Sequence, residues 1–303
     1  MRNEKSSNRN NTIYGTVLML ALGFIVLIGL MFVFSDGFHL GKKGCVAIVN
    51  INREITVEST PQSLFVESVP GSEDIANAIY GLNDRNDVAA VVFVINSPGG
   101  SVVGSREIYN SVLNLSKPKV GYFREVAASG AYYIATPLQY IVSDPAALTG
   151  NIGAVTTFAD LSSLFEKIGM NVTSITSGEM KDIGSPSRPM TDDERSLMQQ
   201  VAMEAFEDFK AVILKNRGSK LNMAKFDVIL DGRVVTGKMA KDIGLVDQIG
   251  TKQDAINKAK ELAGLPEEAL ICNIDLGGGK GGLFSTGSLL DTFHIQKMEL
   301  KFQ

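Results

Sequence analysis

Residues 89–100 read AAVVFVINSPGG, which is seven apolar residues followed by a polar turn with paired glycines. An uninterrupted apolar run of this length is typical of a strand that is covered on both faces, as in a parallel sheet. Shorter apolar runs, separated by segments with helical periodicity, continue along the chain from residue 45 onward. This alternation predicts an α/β fold.

Strands and helices alternate between residues 45 and 262. Strands are predicted at residues 45–49, 89–95, 119–123, 139–143, 152–155 and 172–176, and helices at 74–82, 104–115, 129–135, 161–168, 191–217 and 252–262. The long helix has a clear start, because Thr191 and Glu194 form a capping-box pattern. The glycine run at residues 277–282 predicts a flexible linker to a short C-terminal segment.

The N-terminal part of the chain is apolar. Residues 13–34 carry no charge, and a helix of that length spans roughly 33 Å, enough to cross a hydrocarbon core. No small-residue cleavage site follows, so an uncleaved signal anchor is predicted. Basic residues before this span favour a cytoplasmic N-terminus and an extracytoplasmic domain at the cell membrane. The predicted parts are a tail (1–12), the transmembrane anchor (13–34), a linker (35–43), the main domain (44–265) and a C-terminal segment (266–303).

Composition argues against several classes of function. The net charge of −4 gives no basic field for nucleic acid. The histidines, His39 and His294, and the cysteines, Cys45 and Cys272, do not stand at ligand spacing, so no metal site and no cofactor are expected. Both cysteines lie in apolar runs, which favours two buried free thiols over a disulfide.

Ser129 is the strongest candidate for a reactive side chain. It stands where an apolar helix begins, within the residues VAASGA at 126–131, and by default such a serine is a helix N-cap. At that position its hydroxyl would also lie beside the N–H of Gly130 and the positive end of the helix dipole. A second N–H, from Gly100, would complete an oxyanion hole.

A serine nucleophile needs a base that accepts its proton. His39 and His294 both lie outside the predicted α/β core, so a triad built on histidine is not expected. The remaining type of base is a lysine held neutral by burial in an apolar site. Composition alone does not indicate which lysine this is.

Several segments, in the same order and at compatible spacing, resemble the signal peptide peptidase A (protease IV) family in its short, single-domain form. VAASGAYYIA at residues 126–135 is similar to the family's nucleophile segment, and SGEMKDIGSPSR at 177–188 to its base segment. Residues 150–153, 231–234 and 244–247 match further landmarks of the family. The resemblance extends from about residue 44 to 265, and INSPGG at residues 95–100 also resembles the related ClpP proteases.

The resemblance implies a ClpP/crotonase-like fold and a serine endopeptidase with Ser129 as nucleophile and Lys181 as general base. Gly100 and Gly130 would then supply the oxyanion hole, and Ser177, Ser185 or Ser187 could support the lysine. It also implies a homo-oligomeric ring in which serine and lysine come from neighbouring subunits. The implied substrates are remnant signal peptides and other short or unfolded peptides.

Three alternatives remain open from the sequence. A ClpP-like membrane protease that acts on a specific membrane-protein partner would share the same residues. A crotonase-type acyl-CoA enzyme would share the fold and the oxyanion hole without needing Ser129 or Lys181. An inactive scaffold that binds hydrophobic segments is the alternative outside the enzymes.

Overall fold

The structure is a computed structural model that describes residues 19, 22–26, 44–60 and 68–276 and the backbone of residues 301–302. The chain divides into two units, residues 1–43 and residues 44–303. In the first unit, residues 22–26 are helical. None of the described helices combines the length and the apolar character needed to cross a membrane. Most of the span predicted at residues 13–34 lies outside the described residues.

The second unit alternates strands and helices. Its strands are β1 (Cys45–Asn52), β2 (Val88–Ser97), β3 (Gly100–Ser101), β4 (Lys119–Ala128), β5 (Tyr140–Ser143), β6 (Leu148–Gly150), β7 (Val234–Thr236), β8 (Gln248–Ile249), β9 (Ile271–Asn273) and β10 (Lys301–Phe302). Its helices are α1 (Ser72–Gly81), α2 (Val102–Leu113), α3 (Gly130–Ala135), α4 (Ser162–Lys167), α5 (Asp192–Arg217), α6 (Met223–Val228), α7 (Gly237–Ile243) and α8 (Lys252–Ala263), with a 3₁₀ turn at Gly218–Lys220.

The main sheet is mostly parallel. Its strand order is β7-β6-β4-β2-β1-β9, with β5 beside β4 and β8 beside β5. The pairing of β6 with β7 is antiparallel, and the other pairings in this sheet are parallel. The long strand β4 pairs with β5 through its first half and with β6 through its second half. The α/β prediction is confirmed, and this sheet fits the ClpP-like architecture.

The sheet is covered on both faces, which explains why its central strands are apolar throughout. Alternate residues of β1 and β2 point to opposite sides. One face packs against α1, α2, α3 and α5, and the other packs against α8. Ala47, Val49, Phe93 and Ile95 point to the first face. Val46, Ile48, Val92 and Val94 point to the second.

Two of the predicted strands are wrong. Residues 152–155 do not form a strand, because the strand in this region is β6 and it ends in a turn at Gly150 and Asn151, both with positive φ. Residues 172–176 are irregular, and Ile175 is 97% exposed. An apolar run forms a strand only beside a partner strand, and no described strand pairs with residues 172–176.

The prediction of two free thiols is also wrong, because Cys45 and Cys272 form a disulfide with Cα atoms 5.8 Å apart. Cys45 opens β1, and Cys272 lies in β9, which pairs with β1 in register Ala47 to Cys272. The two residues are 227 positions apart in sequence, so their proximity follows from the strand order and not from any local pattern. The main sheet therefore includes β9, which lies in the predicted C-terminal segment (266–303).

Candidate active site

Ser129 lies on a sharp turn between the end of β4 and the start of α3. Its backbone has φ 56° and ψ −127°, a conformation that non-glycine residues rarely adopt. Such strained backbone costs on the order of 1–3 kcal/mol and concentrates at functional sites. Ser129 occupies the N-cap position of α3, but its side chain makes no capping hydrogen bond. Its hydroxyl is fully buried and has no hydrogen-bond partner among the described residues.

The glycine turn after β2 lies directly against Ser129. A side-chain carbon at Gly99 would be 2.9 Å from the Cβ of Ser129 and 2.7 Å from the nitrogen of Gly130. A carbon at Gly130 would be 3.3 Å from the nitrogen of Gly100. Gly100 itself has φ 148°, and a carbon there would overlap the carbonyl oxygen of Ile55. The structure thus brings Ser129, Gly130 and Gly100 close together.

Side chains of serine hold this glycine turn in place. The Ser97 hydroxyl accepts a hydrogen bond from the N–H of Gly99 at 3.2 Å, and the Ser101 hydroxyl caps α2 by accepting from the N–H of Gly104 at 3.2 Å. Ser105, also buried, has a hydroxyl without a partner among the described residues and lies against Gly130. Sequence reasoning missed these serines, since serines near glycine turns are common.

The turn that follows β6 supports Ser129 from the other side. The N–H of Ser129 donates to the carbonyl oxygen of Gly150 at 2.9 Å. Asn151, with φ 51°, donates from its side chain to the carbonyl oxygen of Gly232 at 2.7 Å. Thr149 donates from its hydroxyl to the carbonyl oxygen of Ala127 at 2.6 Å. The first two contacts give a structural role to Gly150, Asn151 and Gly232, which the sequence identifies only as family landmarks.

Lys181 lies in a series of tight turns, which we call the lysine segment (residues 177–188). Its side chain is exposed and makes no hydrogen bond or ion pair with any described residue. Within one chain, therefore, the structure does not place Lys181 in hydrogen-bond contact with Ser129. Ser185 and Ser187 share a hydrogen bond of 2.8 Å with each other, and neither hydroxyl hydrogen-bonds to the lysine side chain.

Arg188, at the end of the lysine segment, binds two carboxylates. Its guanidinium donates to Asp182 at 2.6 and 3.0 Å and to Glu194 at 2.5 and 2.9 Å. Hydrogen bonds from Arg188 and from the backbone of Thr191 lower the pKa of Glu194 to about 2. Hydrogen bonding from Arg188 likewise lowers the pKa of Asp182. Both groups are therefore carboxylates at neutral pH.

A buried lysine elsewhere in the domain does not reach Ser129. Lys119 donates from its ammonium to the carbonyl oxygens of Val112, Leu113 and Leu115 at the end of α2, at 2.6 to 2.9 Å. Burial lowers the pKa of Lys119. It begins β4, whereas Ser129 follows the end of that strand, about 30 Å away at the usual rise per residue. Its contacts are those of a helix C-cap.

The chain supplies an extended segment next to Ser129. Lys301 and Phe302 form β10, which pairs antiparallel with β3 in register Lys301 to Ser101 and Phe302 to Gly100. β3 comes directly after the glycine turn that touches Ser129. This edge therefore accepts an extended backbone within a short distance of the serine.

Comparisons with known proteins show which family the chain belongs to. Residues 112–266, which include both Ser129 and Lys181, match the profile of Peptidase family S49. A candidate protease of Methanocaldococcus jannaschii is 33% identical over 267 residues, which are 86% of this chain and 85% of that protein. A candidate signal peptide peptidase of Enterococcus faecium is 30% identical over 74% of this chain and 66% of its own length. The chloroplast serine protease SPPA of Arabidopsis thaliana is 31% identical over 78% of this chain.

The match spans only 35% of the chloroplast protein, so this chain corresponds to about a third of that relative. The matched family consists of peptidases, and the acyl-CoA alternative has no support from these comparisons. Together with the buried serine on its strained turn, the family profile and the extent of the archaeal match identify the chain as a member of peptidase family S49 and a serine peptidase.

Proposed function

We propose that the protein is a membrane-anchored endopeptidase in which Ser129 is the nucleophile and Lys181 is the general base. The observation that carries the proposal is the Ser129 hydroxyl, which is buried, held on a strained turn and without a hydrogen-bond partner among the described residues. This arrangement fits a nucleophile whose general base comes from another subunit. Lys181 is exposed and makes no ion pair or hydrogen bond with a described residue, which supports a base that is supplied to another chain.

The reaction follows from the residues around Ser129. Its Oγ attacks the peptide carbonyl carbon while Lys181 takes the hydroxyl proton. The N–H groups of Gly100 and Gly130 bind the oxyanion, an interaction worth about 3–4 kcal/mol per donor in enzymes of this type. The lysine ammonium then protonates the leaving amine, which releases the first product. Water, deprotonated by the same lysine, hydrolyses the acyl-enzyme and regenerates Ser129.

The pairing of β10 with β3 supports a peptide substrate. Main-chain hydrogen bonds to a sheet edge bind extended peptides with little dependence on sequence. A peptide bound antiparallel to Gly100 and Ser101 would bring its backbone next to the oxyanion donors. This mode of binding suits short or unfolded peptides, including remnant signal peptides, better than folded proteins.

Exposed apolar side chains around the lysine segment support assembly into a homo-oligomer. Leu164, Ile168 and Ile175 are 51%, 64% and 97% exposed in the single chain. Contiguous exposed apolar surface is typical of protein interfaces. A ring of subunits would cover this surface and bring Lys181 of one subunit to Ser129 of the next.

The disulfide supports a domain outside the cytoplasm, because disulfides persist in oxidising compartments. With the uncharged residues 13–34 as anchor, we infer that the peptidase domain lies on the outer side of the cell membrane. Digestion of intact cells with a protease that does not cross the membrane tests the orientation. A domain that is digested only after cell lysis would contradict it.

The dyad is tested with the full-length chain in detergent and a panel of fluorogenic peptides. We expect Ser129→Ala and Lys181→Ala to fall to background while their assembly, measured by light scattering, stays as in the wild type. Co-assembly of the two variants should restore part of the activity, because some interfaces then combine an intact serine with an intact lysine. Retained activity in Lys181→Ala would exclude that lysine as the base.

A further inference from the structure

Arg188 links the lysine segment to the first turn of the long helix α5. Its planar guanidinium bridges Asp182 and Glu194 through hydrogen bonds to both oxygens of each carboxylate. Bidentate pairs of this kind fix orientation as well as distance. The side chains of Arg188 and Asp182 are only 32% and 20% exposed, so these bonds are partly shielded from water.

The Glu194 carboxylate, which binds Arg188, is itself held in a fixed position. Its side chain is 2% exposed, and it also accepts the N–H of Thr191 at 2.9 Å as part of the capping box that starts α5. α5 runs for 26 residues and packs into the core through Phe209 and Ile213. Through its guanidinium, Arg188 therefore links Asp182 to the N-terminal turn of a long helix that packs into the core.

Asp182 is the immediate neighbour of Lys181. Both of its carboxylate oxygens are occupied by Arg188, and Lys181 makes no ion pair with a described residue. Without Arg188, a free carboxylate would stand beside an ammonium that must lose its proton to act. The lysine segment would also lose its side-chain link to α5, and its remaining backbone hydrogen bonds are those of local turns and one from the N–H of Leu161 to the carbonyl oxygen of Pro186.

We propose that Arg188 is a positioning residue for the general base, which it serves by fixing the backbone at residue 182 and by keeping the Asp182 carboxylate from Lys181. This inference rests on the proposed function, because it assigns Arg188 a role only through Lys181. It predicts an effect on the chemical step and not on peptide binding. A displacement of a catalytic group by 1 Å can cost about a hundredfold in rate.

The test compares kcat and KM of full-length variants on one fluorogenic peptide. Arg188→Met should lower kcat by about tenfold or more and leave KM within about twofold. Arg188→Lys should also be impaired, because one ammonium cannot bind two carboxylates as a planar fork does. The matched control is Arg85→Met, since Arg85 makes a similar bidentate pair with Asp87 away from the site, and it should leave both constants unchanged.

Asp182→Asn gives a second measurement that leaves the bond from Arg188 to Glu194 in place. If Arg188 acts through residue 182, the double variant Arg188→Met/Asp182→Asn should be less impaired than the product of the two single effects. An unchanged kcat in Arg188→Met, or a rise in KM alone, would overturn the inference while Lys181→Ala remains inactive. Activity in Lys181→Ala would instead overturn the proposed function itself.

Discussion

The hydroxyl of Ser105 lies directly against Gly130, so a side-chain carbon at residue 130 would overlap it. Gly130→Ala should therefore destabilise the domain by about 1–3 kcal/mol, the usual cost of overpacking a dense core. The measurement is the midpoint of chemical denaturation. Gly218→Ala is the control, because nothing lies within 4 Å of a carbon placed there, and its midpoint should move less.

Ser105→Ala should relieve the overlap. The hydroxyl that it removes is buried without a partner among the described residues, so the single variant should be close to wild type in stability. In the double variant with Gly130→Ala, the loss of stability should be smaller than in Gly130→Ala alone. Strictly additive midpoints would show that the two positions are not in contact.

The strained backbone of Ser129 predicts a difference between two inactive variants. Ser129→Ala and Ser129→Gly both remove the nucleophile, but only glycine adopts φ 56° and ψ −127° without a steric cost. Ser129→Gly should therefore be the more stable of the two by about 1 kcal/mol, although glycine normally destabilises. The comparison uses thermal and denaturant midpoints, and a less stable glycine variant would mean that the turn is not strained.

The pairing of β10 with β3 predicts competition between the chain end and added peptides. Removal of residues 301–303 should lower KM for a peptide substrate and leave kcat nearly unchanged, because the vacated edge binds substrate more readily. Steady-state kinetics of the full-length and shortened chains provide the test. Equal KM values would show that added peptides bind elsewhere.

The lowered pKa of Glu194 predicts that the free energy of unfolding decreases in acid. Hydrogen bonds from Arg188 hold its pKa at about 2 in the folded protein, below its usual value near 4.3. A carboxyl group with a lowered pKa stabilises the fold above its unfolded pKa, and this contribution disappears as the pH falls from about 4.5 towards 2. In Glu194→Gln, the free energy of unfolding, measured by chemical denaturation, should decrease less between about pH 4.5 and pH 2 than in the wild type. An unchanged pH profile would contradict the contact with Arg188.

The elements that the sequence predicts well are those with a local signal. β2 follows from its apolar run, and α5 follows from the pattern of Thr191 and Glu194, which the structure shows as a capping box. The helix start at Ser129 was also predictable, although its strained backbone was not, since sequence patterns carry no φ and ψ values.

What was missed depends on contacts between distant segments. The disulfide joins strands 227 residues apart, and the support of Ser129 by Gly150 depends on the pairing of β4 with β6. The run at residues 172–176 has strand-like composition, yet it is largely exposed in the single chain. The role of Arg188 was hidden because arginine and acidic residues near a helix start are common on any surface.

The disulfide between Cys45 and Cys272 closes the polypeptide into a covalent loop that contains nearly the whole peptidase domain. A single cut at any peptide bond within that loop opens the chain without separating its parts. The first strand and the ninth remain joined, so a nicked molecule stays at its original mass until the disulfide is reduced. A single cut by a neighbouring copy of the protease would thus leave both resulting fragments covalently joined through Cys45 and Cys272.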